Sequence, residues 1–378
     1  MTGTGGPVNP FQPGAGARPP LLAGRAAELA LAGELLGSLE KGQRPPQGLL
    51  LYGPRGNGKT ALLSQIAEEA RGLGLRVEEL SGAAYRDPDA LRRELRERAG
   101  LAGTRVTGVQ AAGFGVSAQP GEPERNTTKL FAHWIGQAPA PLVILLDEAH
   151  AIEADAGRLF FDAVQSATRA DLPFLLVAAG TPDAPRRLRL AGTFTERALA
   201  RVPVGRIEPS EAVRALGEPA RAAGLPMDSE AVTLLARESQ QYPYFLQLLG
   251  SAAWRAAESA SSPGIGLQSA QQGIEAARPA IQRFCAERFA EARERSVHRA
   301  LGPLALLVRG RGGRLDDDDL DEFVAMAPVP VSETELLDTL RDLGVLWEAE
   351  PSVWEMGIPS FADHVLGRSS RLSPSAAG

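Results

Sequence analysis

Lys41, Lys59 and Lys129 are the only lysines among 40 basic residues, the rest being arginine. One of them closes the run Gly53-Pro54-Arg55-Gly56-Asn57-Gly58-Lys59-Thr60, which fits the spacing G-x-x-x-x-G-K-[ST]. Glycines let a backbone come close to an anion, and successive N–H groups at the mouth of a helix point at it. In that pattern Lys59 sets a compact charge beside the outer phosphates of a polyphosphate. The Thr60 hydroxyl reaches Mg²⁺, and Ala61 continues the helix. Arginine's planar fork does not replace a point charge, so a lysine kept in an arginine-rich chain marks a chemical requirement. The chemistry expected is the holding of a nucleoside triphosphate with its magnesium.

A second stretch, "PLVILLDEAH" over 141–150, ends an apolar run with two acids, Asp147 and Glu148. A carboxylate at the end of a buried strand can hold the Mg²⁺ shell, and its neighbour can activate an attacking water. His150 reads as a polar residue opening the next loop. Asp-Glu-Ala-His also occurs in helicases, and "SAT" stands at 166–168, but it lies inside an amphipathic segment and no second lobe follows. That reading is set aside.

The elements around these residues fit the chemistry. "GLLLY" before the glycine run is suited to a buried parallel strand, and "TALLSQIAEEARGLG" after it has helical spacing ending at Gly. Strands are expected near 49–52, 75–79, 142–147, 173–179 and 202–206, alternating with helices. The alternation predicts an α/β fold of the P-loop NTPase kind, a three-layer parallel-sheet core.

The chain as a whole resembles the AAA+ ATPases, in particular the bacterial and archaeal group akin to the initiator (origin-recognition) clade and the signalling ATPases called STAND. "PPLLAGRAAEL" (19–29) is similar to that clade's opening motif, with Gly24, Arg25 and Glu28, where it lies along the adenine. "PFLLVAAGTPD" (173–183) resembles the sensor 1 strand and offers Thr181. "GTFTERAL" (192–199) resembles the segment carrying the family's arginine, here Arg197, with Arg201 and Arg206 as weaker alternatives; such a finger serves a neighbouring subunit. "SQQYPYFLQLLG" (239–250) resembles the Gly-Tyr-Pro-Tyr turn of the helical lid, where Pro243 packs on the base. Two departures stand out: the sensor 2 arginine position holds Tyr244, and Gln241 replaces the glycine before Tyr-Pro. "WEMGIPSFADHVL" is similar to the end of a C-terminal winged-helix domain. Gly/Pro-rich composition predicts a disordered tail over 1–18; a nucleotide-binding core is expected over 19–207, a lid over 208–275 opening with Ser210 as an N-cap, a winged-helix-like domain over 276–370 and a tail over 371–378.

Composition narrows the partners. Net charge is −6 and the pI about 5.5, so no global cationic field draws the chain to nucleic acid. The single cysteine, Cys285, allows no intramolecular disulfide. No leader-like or membrane-length apolar run is present, which predicts a cytoplasmic protein with no membrane partner. From Leu315 to Glu350 twelve acids face one base, Arg341. A recognition helix needs to neutralise phosphates, so the segment 332–344 is unsuited to DNA. The arginines from Arg288 to Arg314 read as i,i+4 pairs on a solvated helix. Within 103–128, alternating Val and Gly suggest a hairpin insert that could project towards a partner.

These residues predict an Mg²⁺-ATP-binding ATPase that assembles as a homo-oligomer and engages a partner protein through its C-terminal domain. The alternative is a DNA-binding ATPase, related to initiators or transposition regulators, that contacts duplex through the core or the insert. A third class is a signalling scaffold that binds ATP and barely hydrolyses it.

Overall fold

The computed structural model describes residues 7–14, 16–101, 109–111, 114–116, 123–192 and 195–367. Its strands are β1 (Gly48–Tyr52), β2 (Arg76–Ser81), β3 (Val109–Ala111), β4 (Phe114–Val116), β5 (Leu142–Asp147), β6 (Phe174–Gly180), β7 (Leu199–Pro203), β8 (Arg314–Leu315), β9 (Leu346–Glu350) and β10 (Val353–Met356). The chain divides into two compact units. One is Glu28–Tyr52 with Leu63–Val202, the other Met1–Ala27, Gly53–Leu62 and Pro203–Gly378.

The first unit is built on a sheet of order β2-β5-β6-β1-β7. β2 with β5, β5 with β6 and β6 with β1 are parallel. Alternate residues of the central strands (Leu50; Leu142, Ile144 and Leu146; Phe174, Leu176 and Ala178) enter one apolar cluster with Phe131, Trp134, Phe160 and Phe161. The intervening Leu49, Leu51, Val143, Leu145, Leu175 and Val177 are also buried. A strand buried on both faces has no polar alternation, which is why these runs read as continuous apolar segments. Phe131 meets Phe160 edge-on with ring centres 5.7 Å apart, an arrangement that favours one packing over many.

The last strand departs from expectation: it spans Leu199–Pro203 and not 202–206. Pro203 has no N–H to give the ladder and ends it. The insert expected as a hairpin does pair, β3 against β4 antiparallel with Val109 opposite Val116. The helix Pro123–Gly136 begins before that segment ends; 103–108, 112–113 and 117–122 lie outside the described residues.

In the second unit the helices Pro209–Ala222, Ser229–Glu238, Pro243–Ser259 and the first half of Leu267–Glu294 share an apolar cluster. At the first of these Glu208, not Ser210, holds the N-cap position, without a side-chain capping bond, and Pro209 takes N1, where a missing N–H costs nothing. Phe11 also belongs to this cluster and is 3% exposed. The Asn9 amide donates to the Ser251 carbonyl and hydroxyl. The expectation of disorder over 1–18 therefore fails around residues 9–12, where one aromatic ring and one amide anchor a Gly/Pro-rich segment. Residues 1–6, 15 and 371–378 of the expected tails lie outside the described residues.

The 28-residue helix Leu267–Glu294 crosses position 276, expected to open the C-terminal domain. Ile274, Ala277 and Ile281 pack in the lid cluster, and Cys285 and Ala292 in the next one. Beyond it the order is helix (His298–Gly310), β8, helix (Asp317–Met326), helix (Glu333–Asp342), β9, β10, with the antiparallel sheet β8-β10-β9. That is the element order of a winged helix. Its basic residues differ from expectation. Arg288 is 7% exposed and bonded to Glu291. Arg295 pairs with Asp342, Arg309 with Asp363, Arg311 with Asp319, and Arg314 with Glu350 and Glu355. Arg288 and Glu291 pair along one helix at i,i+3, whereas the pairs of Arg295, Arg309, Arg311 and Arg314 join different elements. Among the described residues no helix is long and apolar enough to cross a membrane.

Candidate functional site

Gly53 directly follows β1, and Lys59 opens the helix Lys59–Gly72. Gly53, Gly56 and Gly58 have φ of 157°, 80° and 84°, with Asn57 between the last two at negative φ. A Cβ on Gly53 would lie 2.3 Å from the Val204 carbonyl oxygen, and one on Gly56 would lie 2.6 Å from the Tyr242 hydroxyl. Glycine is therefore required twice over at both positions, by conformation and by space. Alternating signs of φ turn successive N–H groups towards a common point, the geometry of an anion nest.

Every carbonyl of the loop accepts a hydrogen bond. The Lys59 ammonium donates to Gly53 and Pro54, each at 2.7 Å. The Tyr242 hydroxyl donates to Arg55, the Tyr244 N–H to Gly56 at 3.1 Å, and the buried Arg25 guanidinium to Asn57 at 3.0 Å. The Leu62 N–H closes the set on Gly58. In a trans peptide the C=O and the next N–H point opposite ways. Holding the Arg55, Gly56 and Asn57 oxygens on the lid turn and Arg25 thus aims the amides of Gly56, Asn57 and Gly58 away from those residues. Asn57 Oδ1 is buried with no partner among the described residues, a polar atom left for a ligand or its water. The loop's geometry fits a polyphosphate, for which Lys59 would supply charge and the Thr60 hydroxyl would offer an oxygen to Mg²⁺.

The opening motif and the lid turn meet at this loop. The Gly24 N–H donates to Glu211 at 2.7 Å; hydrogen bonds from Arg214 first and Gly24 second hold the Glu211 carboxyl below its usual range. Arg25 also donates to the Gly205 carbonyl. Gln240 and Gln241 sit at φ of 50° and 57°, so the site of the expected glycine keeps the conformation that favours glycine. Pro243 is half-buried at the first position of its helix. Sequence reasoning missed Tyr242, whose partner lies 187 residues away. It also missed a contact from the C-terminal region: a Cβ on Gly357 would lie 2.7 Å from the Pro54 ring. Arg206 donates to the Met356 carbonyl there, and burial lowers its pKa.

In the other unit β5 and β6 end on the same edge, placing Asp147 beside the run leading to Thr181. Glu148 has a left-handed φ of 50° and donates its N–H to the Asp147 carboxylate at 2.8 Å. Strain of this kind concentrates at working sites. Thr181 is buried, and its N–H approaches His150 Nδ1 at 3.4 Å. The Arg187 guanidinium bonds both the His150 carbonyl and the buried Asp183. His150 thus has more structure around it than a loop opener requires. Arg197 is exposed and lines a cavity of about 60 Å³ with Gly48, the first residue of β1, and Phe174, the first of β6. It stands at the strand ends opposite to Asp147 and Glu148. Arg201 is paired with Glu196.

Fold and loop together define a P-loop nucleotide-binding protein. Residues 49–197 match the model of the ATPase family associated with various cellular activities, AAA, a family whose members bind ATP with Mg²⁺. No curated protein matches the sequence. Among solved structures, Cdc6p from Pyrobaculum aerophilum is similar at TM-score 0.52 and 15% identity, covering 94% of this chain and 96% of that one. The Holliday junction branch migration motor RuvB of Thermotoga maritima is similar at 0.51 and 15%, covering 92% and 95%. A Walker-type ATPase of Pyrococcus abyssi is similar at 0.59 and 15%, covering 90% and 95%. These likenesses establish the fold.

Proposed function

We propose that the chain is an Mg²⁺-ATP-binding ATPase of the AAA+ or STAND-like kind whose nucleotide state switches self-assembly or the engagement of a partner protein. The observation that supports this most is the hydrogen bonding of the loop carbonyls, three of which are held by the lid turn and the opening motif. A loop tied to its lid in this way cannot change shape alone, so a nucleotide on the loop is felt by the helices beyond it. Lys59 and the loop amides hold the phosphates, and the Thr60 hydroxyl and Asp147 carboxylate supply oxygens for Mg²⁺. A Glu148 carboxylate oxygen takes the proton of the attacking water. Thr181 senses the outer phosphate, Pro243 and the opening motif border the base, and Arg197 completes the site of a neighbouring subunit. The partner is a cytoplasmic protein met by the winged-helix domain, in which Arg295, Arg309, Arg311 and Arg314 are already paired with carboxylates of the same domain.

The test is the solution mass of Glu148→Gln protein with and without Mg²⁺-ATP, beside the ATPase rate of the wild type. Assembly with ATP and slow but measurable wild-type turnover are expected. Unchanged mass with no turnover would overturn the reading.

A further inference from the structure

We propose that Tyr242 is a positioning residue of the phosphate loop: its hydroxyl, donated to the Arg55 carbonyl, holds the Arg55–Gly56 peptide in the orientation that presents the Gly56 N–H to a polyphosphate. This rests on the reading of the loop as the ATP site. Tyr242 belongs to none of the motifs that define such a loop. It stands just before the lid helix Pro243–Ser259 and is fully buried. Its ring is fixed edge-on against Phe245 at 4.8 Å and near Phe284 at 6.4 Å. The same ring lies over Gly56, where a Cβ would come within 2.8 Å of Cζ. The next residue but one, Tyr244, donates its N–H to the Gly56 carbonyl. Two consecutive loop peptides are thereby clamped by one turn of the lid. Burial raises the pKa of the phenol far above its ordinary value, so it remains a donor throughout the working pH range.

Removing the oxygen leaves a buried carbonyl without its partner and lets the peptide rotate, so the phosphate-facing amide is no longer fixed. The experiment is Tyr242→Phe in the full chain, titrated calorimetrically with ATP and separately with inorganic tripolyphosphate. Both dissociation constants are expected to rise about tenfold. In turnover the same factor enters KM and leaves kcat unchanged, since the loop holds ground and transition states alike. Trp254→Phe, a change inside the lid cluster, supplies the control: it lowers Tm and leaves both constants unchanged.

Three results would overturn the inference. They are wild-type affinity for tripolyphosphate in Tyr242→Phe, a loss confined to ATP, which would move the role to the base, and an equal loss in Trp254→Phe. If Tyr242→Phe does not fold, Gly56→Ala displaces the same ring, and wild-type tripolyphosphate affinity there overturns it equally. A wild type that binds neither ligand would instead sink the ATP reading itself.

Discussion

At Lys59 the ammonium lies 2.7 Å from two carbonyls of its own loop, and those contacts keep it folded back over the glycine run. Lys59→Ala removes the charge that offsets the phosphates, and ATP binding should be lost in a calorimetric titration. Glu148→Gln should bind ATP as the wild type does while hydrolysis falls by about 10²–10⁴-fold, because an amide cannot accept the water's proton. Wild-type turnover in that variant would remove Glu148 from the chemistry. The places of these residues in the fold are legible in the sequence because the spacing is local: each stands within a few positions of the strand that ends beside it. Tyr242 was not legible, since its donor–acceptor pair joins segments far apart in the chain. Gln241 shows the reverse case. The sequence breaks the expected pattern, yet the backbone keeps its left-handed φ. Gln241→Gly should therefore raise stability by up to about 1 kcal/mol, read as a higher Tm, as the cost of left-handed backbone at an L residue is relieved.

The elements reveal why some boundaries were read and others were not. β1, β5 and β6 are central and buried on both faces, so short apolar runs announced them. β7 is an edge strand in which Leu199 is buried and Arg201 and Pro203 are exposed; "TERALAR" then looks like one face of a helix, and the apolar pattern places the strand three residues late. Composition alone misreads the N-terminal segment, because Gly and Pro outnumber Asn9 and Phe11, the two residues that anchor it. Phe11→Ala should cost about 3–5 kcal/mol in chemical unfolding, as for an aromatic removed from a core. A change near zero would mean that the segment is merely laid on the lid. The C-terminal sheet has its own point of contact with the loop. Gly357→Ala would bring a Cβ within 2.3 Å of the Gly344 carbonyl and 2.7 Å of Pro54. It should cost about 1–3 kcal/mol of stability and weaken ATP binding in the same protein, since Pro54 cannot yield without moving the loop.

On the scale of the whole molecule, charge and assembly decide what the protein meets. Arg197 sits at the strand ends opposite to the acids of its own sheet, so a role in hydrolysis requires a second copy. Arg197→Ala should slow hydrolysis by about 10³-fold or more with ATP affinity unchanged. Mixing it with Lys59→Ala protein should restore part of the rate through hybrid interfaces. A rate independent of protein concentration and untouched by the substitution would remove the oligomer from the account. Charge speaks against duplex DNA as the partner. The net charge is −6, and Arg295, Arg309, Arg311 and Arg314 already face carboxylates of the same domain. Arg341, the one base on the helix Glu333–Asp342, lies over the Trp354 ring at 4.6 Å. Releasing any of these to a phosphate exchanges one ion pair for another and strands an acid beside the DNA backbone. The full chain with Mg²⁺-ATP should bind labelled duplex no more tightly than the non-specific range, about 10⁻⁴–10⁻⁶ M at physiological salt. Arg309→Ala, Arg311→Ala and Arg314→Ala together should leave that affinity and its salt slope unaltered. Sub-micromolar binding with a steep slope, lost in the triple variant, would show that these ion pairs open on contact and that the domain is a DNA reader after all.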